Sequence, residues 1–486
     1  MRASSALFGT LLCVSIGACT PSTTAPKAEL SMPAAYSSSS AKPASVDPRG
    51  EAWWRRFNDS ALDRLVRYGI KEGISIQQAR QRLDIARLRE VVALSSFFPQ
   101  LQTGASGNRA SRDSNGPNPT NAGLSSNTAL SWKIDLFGSQ RASQREAQAN
   151  TAAAADEIEM VRLAYLTDLT ITYIELRYNE EATAISRQNL ASFQKTLTLT
   201  KSMRDTGSAT NLDVAKAQAL VDDALAKIPP LERDRQIAIH HLATLLGTTA
   251  AEISRMIDMQ GRSRQPRLAQ AATGLPADLL RNRPDIKREE RLLAAAAARI
   301  DVAHARLYPT LTLNGTIDVA RLVASGLSGN VVSWAFGPTV LAPILDGDKL
   351  RTEVDIASAE TRVQYLRWKD TVFRAVEEVE NALVSLNRGA AETKAHSRKI
   401  ASYAASRDLA RESYIGGTGL VLDVLEAERF LGDARIDLAQ SLRANAISAV
   451  RLRVALGSGS TVEASAESSP PIKPPVTAPP EAADAP

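Results

Sequence analysis

Two hydrophobic periods run along the chain. Between positions 124 and 136, Leu124, Ser126, Thr128, Leu130, Trp132, Ile134 and Leu136 share one side, and Ser125, Asn127, Ala129, Ser131, Lys133 and Asp135 share the other. Positions 309–319 repeat this, with Leu311, Leu313, Gly315, Ile317 and Val319 opposite Thr310, Thr312, Asn314, Thr316 and Asp318. A period of two with one apolar and one wet face predicts strands between two different surroundings. A soluble sandwich would give the same alternation. The lengths match what a tilted strand needs to cross a bilayer, with Trp132 and Trp334 as candidate interfacial anchors. Weaker partner strands are expected near Gln100–Ser111 and 331–343.

Elsewhere the period is helical. Positions 139–204 hold no Pro or Gly and are dominated by Ala, Leu, Gln, Arg and Glu. At about 1.5 Å per residue this predicts a helix roughly 100 Å long. A second such stretch covers 349–414, broken only by Gly389. The helix returning from it carries Leu420, Val424, Ala427, Leu431, Ala434 and Leu438, spaced alternately four and three, the seam of a coiled coil. In the first half the returning helix meets Pro229-Pro230, which must kink or interrupt it.

These elements occur twice. Pro99 and Pro309, and Asp213 and Asp423, each stand 210 positions apart. Each half reads helix, strand, loop, strand, very long helix, Gly-bearing turn, helix, so the chain is a tandem repeat with halves at 51–262 and 263–457. No apolar run is long enough for a spanning helix, so any membrane crossing falls to the strands. Four strands cannot close a barrel, and lipid does not tolerate an open edge. Several chains must therefore contribute. Two would give eight strands and a side-chain-filled interior; three would give twelve and a lumen, which the polar strand face favours. A homotrimer of two-repeat chains has approximate sixfold symmetry. The expected fold is mainly α, with a 12-stranded β-barrel continuous with a long α-helical barrel.

Composition narrows the function. Apolar residues make up 44% but aromatics only 5%, which suits long helices packed through Ala. A net charge of +5, with no dense basic block, gives no support for nucleic-acid binding. At the N-terminus, Arg2 and an apolar stretch over 6–18 lead to Ser15-Ile16-Gly17-Ala18-Cys19. This resembles a bacterial lipoprotein signal, with 1–18 removed and Cys19 carrying N-palmitoyl and S-diacylglycerol groups; a plain secretory signal is the alternative. By the same resemblance, Thr20 in place of Asp favours export to the outer membrane. Cys13 would be lost with the signal, leaving one cysteine and no intrachain disulfide. Residues 19–50 read as a Ser/Pro-rich linker and 458–486 as a disordered Pro/Ala-rich tail.

Conventional catalysis is not indicated. The four His are scattered, His240-His241 are adjacent rather than at ligand spacing, and no metal or other cofactor is expected. Gly416-Gly417-Thr418-Gly419 lacks the strand and lysine of a phosphate loop. The sharpest candidates lie at the helix–turn–helix tips. Asp423 and Glu426 share a helix face, and three copies would gather six carboxylates at a narrow tunnel end, favouring cations. Acids in a first helical turn are also favoured by the helix dipole, which accounts equally for Asp213 and Asp423. Gly207, Gly416, Gly417 and Gly419 would permit tight turns.

Cys19, WWRRFNDSALDRLV, the FFP and LYP strand starts, IDLFGS, LLRNRPDIKREE and GTGLVLDVLEAER, in this order, resemble the TolC-like outer membrane factors. The likeness is strongest to the lipidated NodT-type efflux members and spans about 53–457. It implies a trimeric conduit in the outer membrane of a Gram-negative bacterium, docked to a periplasmic adaptor and an inner-membrane RND-type transporter. It also implies a periplasmic gate at Asp423 and Glu426, a constriction of Leu422, Glu426 and Arg429, and a latch of Tyr414 and Asp213, although Gly419 stands where the latch arginine would be. A type I protein secretion channel and a non-conducting periplasmic coiled-coil scaffold are the rival readings. Substrate identity is not legible, since a wide polar conduit has no pocket chemistry.

Overall fold

The computed structural model describes residues 52–111, 120–258, 265, 283–324 and 327–459. The expected signal, Cys19, the linker, and the tail from 460 onward lie outside the described residues. A short 3-10 turn (Trp53–Phe57) leads into α1 (Ser60–Glu72), α2 (Ile74–Ser95), β1 (Gln100–Ser111) and β2 (Thr120–Ile134). Then come α3 (Ser139–Asp205), α4 (Asn211–Ala226), α5 (Ile228–Leu246) and α6 (Ala250–Asp258). The second half gives α7 (Pro284–Ala305), β3 (Thr310–Ala324), β4 (Leu327–Leu341), α8 (Lys349–Ile415) and α9 (Val421–Ala455). The copies keep step: α2 and α7 each have 22 residues, α3 and α8 each have 67. The starts of α2 and α7, β1 and β3, α3 and α8, and α4 and α9 are all 210 positions apart.

The strands form one antiparallel sheet in the order β1-β2-β3-β4, so the two hairpins join through β2 and β3. Strand β4 starts earlier than the alternation suggested, at Leu327, and β3 runs on to Ala324. The register aligns like with like. Leu130 lies opposite Leu101 and Gly315, Trp132 opposite Leu313, Ile317 opposite Trp334, and Gly315 opposite Phe336. Because successive side chains alternate, this puts Leu101, Leu130, Trp132, Leu313, Ile317, Trp334 and Phe336 on one face. The other face is polar, with Ser106 2.8 Å from Ser125, Asn127 bonded to Asp318, and Asn314 donating to Thr339 at 2.9 Å. The outer strands β1 and β4 each leave one edge unpaired.

The helices extend from the sheet as two long hairpins. Near the sheet α2, α3, α7 and α8 pack side by side; farther away α4 packs on α3, and α9 lies between α3 and α8. The chain's main apolar core sits midway. Trp53, Trp54 and Phe57 join Leu62, Leu65 and Val66 of α1 against Leu166, Leu169, Tyr173 and Ile174 of α3, Leu242 and Leu246 of α5, and Val450 of α9. Asp59 caps α1 through the Ala61 and Leu62 amides and accepts a 2.6 Å hydrogen bond from the Tyr173 hydroxyl. The opening WWRRFNDSALDRLV motif is thus the plug that locks the middle of the hairpins. Burial, reinforced by Asp59, holds the Tyr173 phenol far above its ordinary pKa, so it stays neutral.

Pro229 and Pro230 do interrupt the first returning helix: α4 stops at Ala226 and α5 restarts at Ile228, with proline in its first turn where the missing amide costs nothing. Gly389 does not behave as expected. Helix α8 passes through it without a break. Its purpose is close approach: a Cβ there would lie 1.9 Å from the Asn445 side-chain oxygen. Asn445 of α9 instead donates to the Gly389 carbonyl at 2.8 Å and to the Thr393 hydroxyl at 2.6 Å. Gly389→Ala is therefore expected to destabilise the protein by about 1–3 kcal/mol, although the same change in an open helix stabilises. Chemical denaturation of the purified protein checks the sign.

Candidate functional site

The far end of each hairpin is a tight turn built the same way in both copies. In the first, the Met203 carbonyl accepts from the amides of Ser208 and Ala209 at 2.7 and 3.2 Å. In the second, the Ser413 carbonyl accepts from Thr418 and Gly419, both at 3.0 Å. Gly207 and Gly417 sit at φ +79° and +75°, where a side chain is strained. Gly419 is needed for space, since a Cβ would meet the Ser413 Cβ at 2.9 Å. Gly416 has φ −72°, an ordinary right-handed value, so not all four turn glycines are equivalent. The first copy has Ala209 where the second has Gly419.

The two turns are held together by one apolar cluster. Phe193 and Leu197 of α3, Ala217 and Val221 of α4, Tyr414 of α8, and Val421, Val424 and Leu425 of α9 are all buried in it. That inward face leaves the other face of α9 to solvent in the single chain. Leu422, Asp423, Glu426 and Arg429 are all exposed on this face. The Arg429 guanidinium sits 4.9 Å from the Phe430 ring centroid, and Phe430 stacks on Tyr403 at 5.4 Å.

The two copies differ in how they hold their tip acids. In α4 the Asp213 carboxylate accepts from the Thr210 amide at 2.9 Å and from its hydroxyl at 2.8 Å, and the Asp213 amide donates back to that hydroxyl at 3.2 Å. This capping box holds Asp213 below the usual carboxylate range, chiefly through the Thr210 amide and then its hydroxyl. In α9 the N-cap is Leu420, which has no side-chain acceptor; the Asp423 amide reaches only the Leu420 carbonyl, at 3.2 Å. The structure does not join Tyr414 to Asp213 within the chain. The Tyr414 hydroxyl is buried without a hydrogen-bond partner, and Asp213 is engaged by Thr210.

One residue of this region escaped the sequence reading. Glu428 is only 4% exposed, wedged between α9 and α3. The Thr196 hydroxyl lies 2.9 and 3.0 Å from its two oxygens, and Ser192 donates at 3.2 Å. Burial pushes its pKa up, against weaker lowering by the hydroxyls and by Arg411 and Arg407 of α8. The available signal was its place in a second buried row, Val421, Leu425, Glu428 and Gly432, where a carboxylate is out of character. Among the described residues no cluster of His, Cys, Asp and Glu is arranged to hold a metal ion.

Known proteins share this architecture. The model of the family described as outer membrane efflux protein matches residues 71–248 and 275–458, one segment in each half. Nodulation protein T of Rhizobium leguminosarum bv. trifolii is 37% identical over 415 residues, covering 84% of this chain and 88% of that protein. The toluene efflux pump outer membrane protein TtgF of Pseudomonas putida is 30% identical over 417 residues, covering 84% of this chain and 85% of that protein. The solved structure of the outer-membrane channel OprN superposes with a TM-score of 0.79 at 26% identity, covering 90% of this chain and 99% of that one. With its twofold repeat, its four-stranded sheet and its long helical hairpins, this chain belongs to the outer membrane efflux protein family and has the fold of the TolC-like channels.

Proposed function

We propose that the protein is the exit duct of a tripartite efflux pump. As a homotrimer it passively conducts small toxic compounds from a periplasmic adaptor and an inner-membrane RND-type transporter to the exterior. The observation that carries this reading is the sheet: apolar on one face, polar on the other, and open at both β1 and β4. Three such sheets joined edge to edge would leave no unpaired strand and would enclose a polar lumen. The helices support the same closure. Leu88 and Val92 on α2, and Val363, Leu366 and Phe373 on α8, are large apolar residues left exposed in the single chain. They flank the two sides along which neighbouring copies would meet. Efflux of small organic compounds draws support from the toluene pump component among the relatives.

Purified full-length protein in a planar bilayer is expected to form discrete channels. A bilayer that stays silent at every voltage would favour the periplasmic scaffold instead. The exposed stripe of Leu422, Asp423, Glu426 and Arg429 would line the periplasmic constriction of that channel, three copies converging on the axis. Tyr414 and Asp213 would act as a latch only after Asp213 leaves its capping box.

Membrane attachment through a lipid on Cys19 is part of the proposal, with N-palmitoyl and S-diacylglycerol groups supplementing the barrel's own hold. Cys19→Ser should abolish incorporation of labelled palmitate in growing cells, because Cys13 lies in the segment to be removed. Label retained by the variant would refute the site.

A further inference from the structure

The tips offer the same backbone two different helix starts, and the difference falls on one residue. Thr210 and Leu420 occupy equivalent N-caps, 210 positions apart, each three residues before an aspartate. Thr210 closes a reciprocal pair with Asp213 and turns that carboxylate back onto the chain. Leucine is among the poorest N-cap residues, and here its side chain is 67% exposed rather than packed. An apolar group displayed in place of a favourable cap gives up local stability that the equivalent tip of the first copy keeps through Thr210.

We propose that Leu420 is a positioning residue of the periplasmic constriction: by denying α9 a capping box, it leaves the Asp423 carboxylate free to face the passage. The inference rests on the constriction reading above. Both copies carry an aspartate at the third helical position, but only the second leaves it unengaged. The neighbouring position repeats the division, with Lys216 in the first copy and Glu426 in the second. The first-copy acid builds its helix; the second-copy acid is available to ions. Selectivity at the axis is thereby set by a residue that never needs to touch the permeating species.

The test compares L420T with L420V, side chains of nearly equal shape that differ in the hydroxyl able to cap. Full-length trimers are measured in planar bilayers under a potassium chloride gradient, across a pH series, with the D423A/E426A double variant alongside. L420T is expected to show a cation-over-anion permeability ratio at least about twofold below that of L420V. The pH at which half its cation preference disappears should also be lower, since a capped carboxylate holds on to its charge. A purely structural role for the cap would move stability but not this pH profile. Indistinguishable L420T and L420V, with D423A/E426A still altering selectivity, would overturn the role of Leu420 and leave the constriction standing. D423A/E426A without effect would remove the constriction reading, and the proposal with it.

Discussion

The double substitution Asp423→Ala and Glu426→Ala is expected to raise single-channel conductance and to lower cation preference by at least about tenfold after salt screening. Both carboxylates lie on the exposed stripe of α9, opposite the buried Val421, Val424 and Leu425. At about 4–8 Å in a water-like dielectric, one carboxylate contributes roughly 0.5–1 kcal/mol to a passing cation. In the proposed trimer, three copies of each side chain around an axis would contribute roughly 1.5–3 kcal/mol per ring, and about 1.4 kcal/mol is a factor of ten. The loss should be larger at low ionic strength, because charges are screened beyond about 10 Å at 0.1 M salt. Folding should be little affected, since neither side chain belongs to the buried cluster. Bilayer recordings at two salt concentrations decide it. Unchanged conductance and selectivity would show that the narrowest point lies elsewhere.

Most of the architecture could be read from the chain because two periods carried it. Alternation marked β2 and β3, and an uninterrupted Ala-rich stretch marked α3. The offset of 210 then made one half evidence for the other. What stayed hidden depended on contacts between elements far apart in sequence. Gly389 looks like a helix breaker until Asn445 is placed against it, 56 positions later. Glycine in a helix interior costs about 1 kcal/mol by itself, and only the neighbouring helix shows what is gained in return. The ends of β4 were equally obscure, since its outer portion pairs with β3 rather than displaying a strong alternation of its own.

At the tips the residue types were legible and their roles were not. The spacing of Asp213 and Asp423 marks them as equivalents, yet Thr210 makes one a cap and Leu420 leaves the other free. Two positions three residues upstream decide this. Tyr414 matched a latch position, but its hydroxyl is sealed in the apolar cluster without a partner, and Asp213 bonds elsewhere. A motif gives positions; the hydrogen bonds that compete for each group decide what it does.

Glu428→Gln is expected to stabilise the protein at neutral pH, by on the order of 1 kcal/mol per chain, and to give no advantage in acid. The carboxyl lies in the α3–α9 interface, where α3 presents only the neutral hydroxyls of Ser192 and Thr196. Arg407 and Arg411 of α8 attract it, but Arg407 is paired with Asp408 at 2.7 Å, and burial outweighs both arginines. The folded-state pKa is therefore raised above the ordinary 4.5. A raised acid contributes its stability below the unfolded value and loses it as pH rises through the folded value. Once ionised, the wild-type carboxylate is a charge that burial disfavours, whereas glutamine stays neutral and its amide can still meet both hydroxyls. Denaturation midpoints of the two proteins should separate above the folded pKa and converge toward pH 4.5. A wild type more stable than the variant at pH 7.5 would mean that Arg407 and Arg411 hold Glu428 charged. The interface would then be an ion-pair clamp between α8 and α9, and α3 would contribute only hydrogen bonds to it.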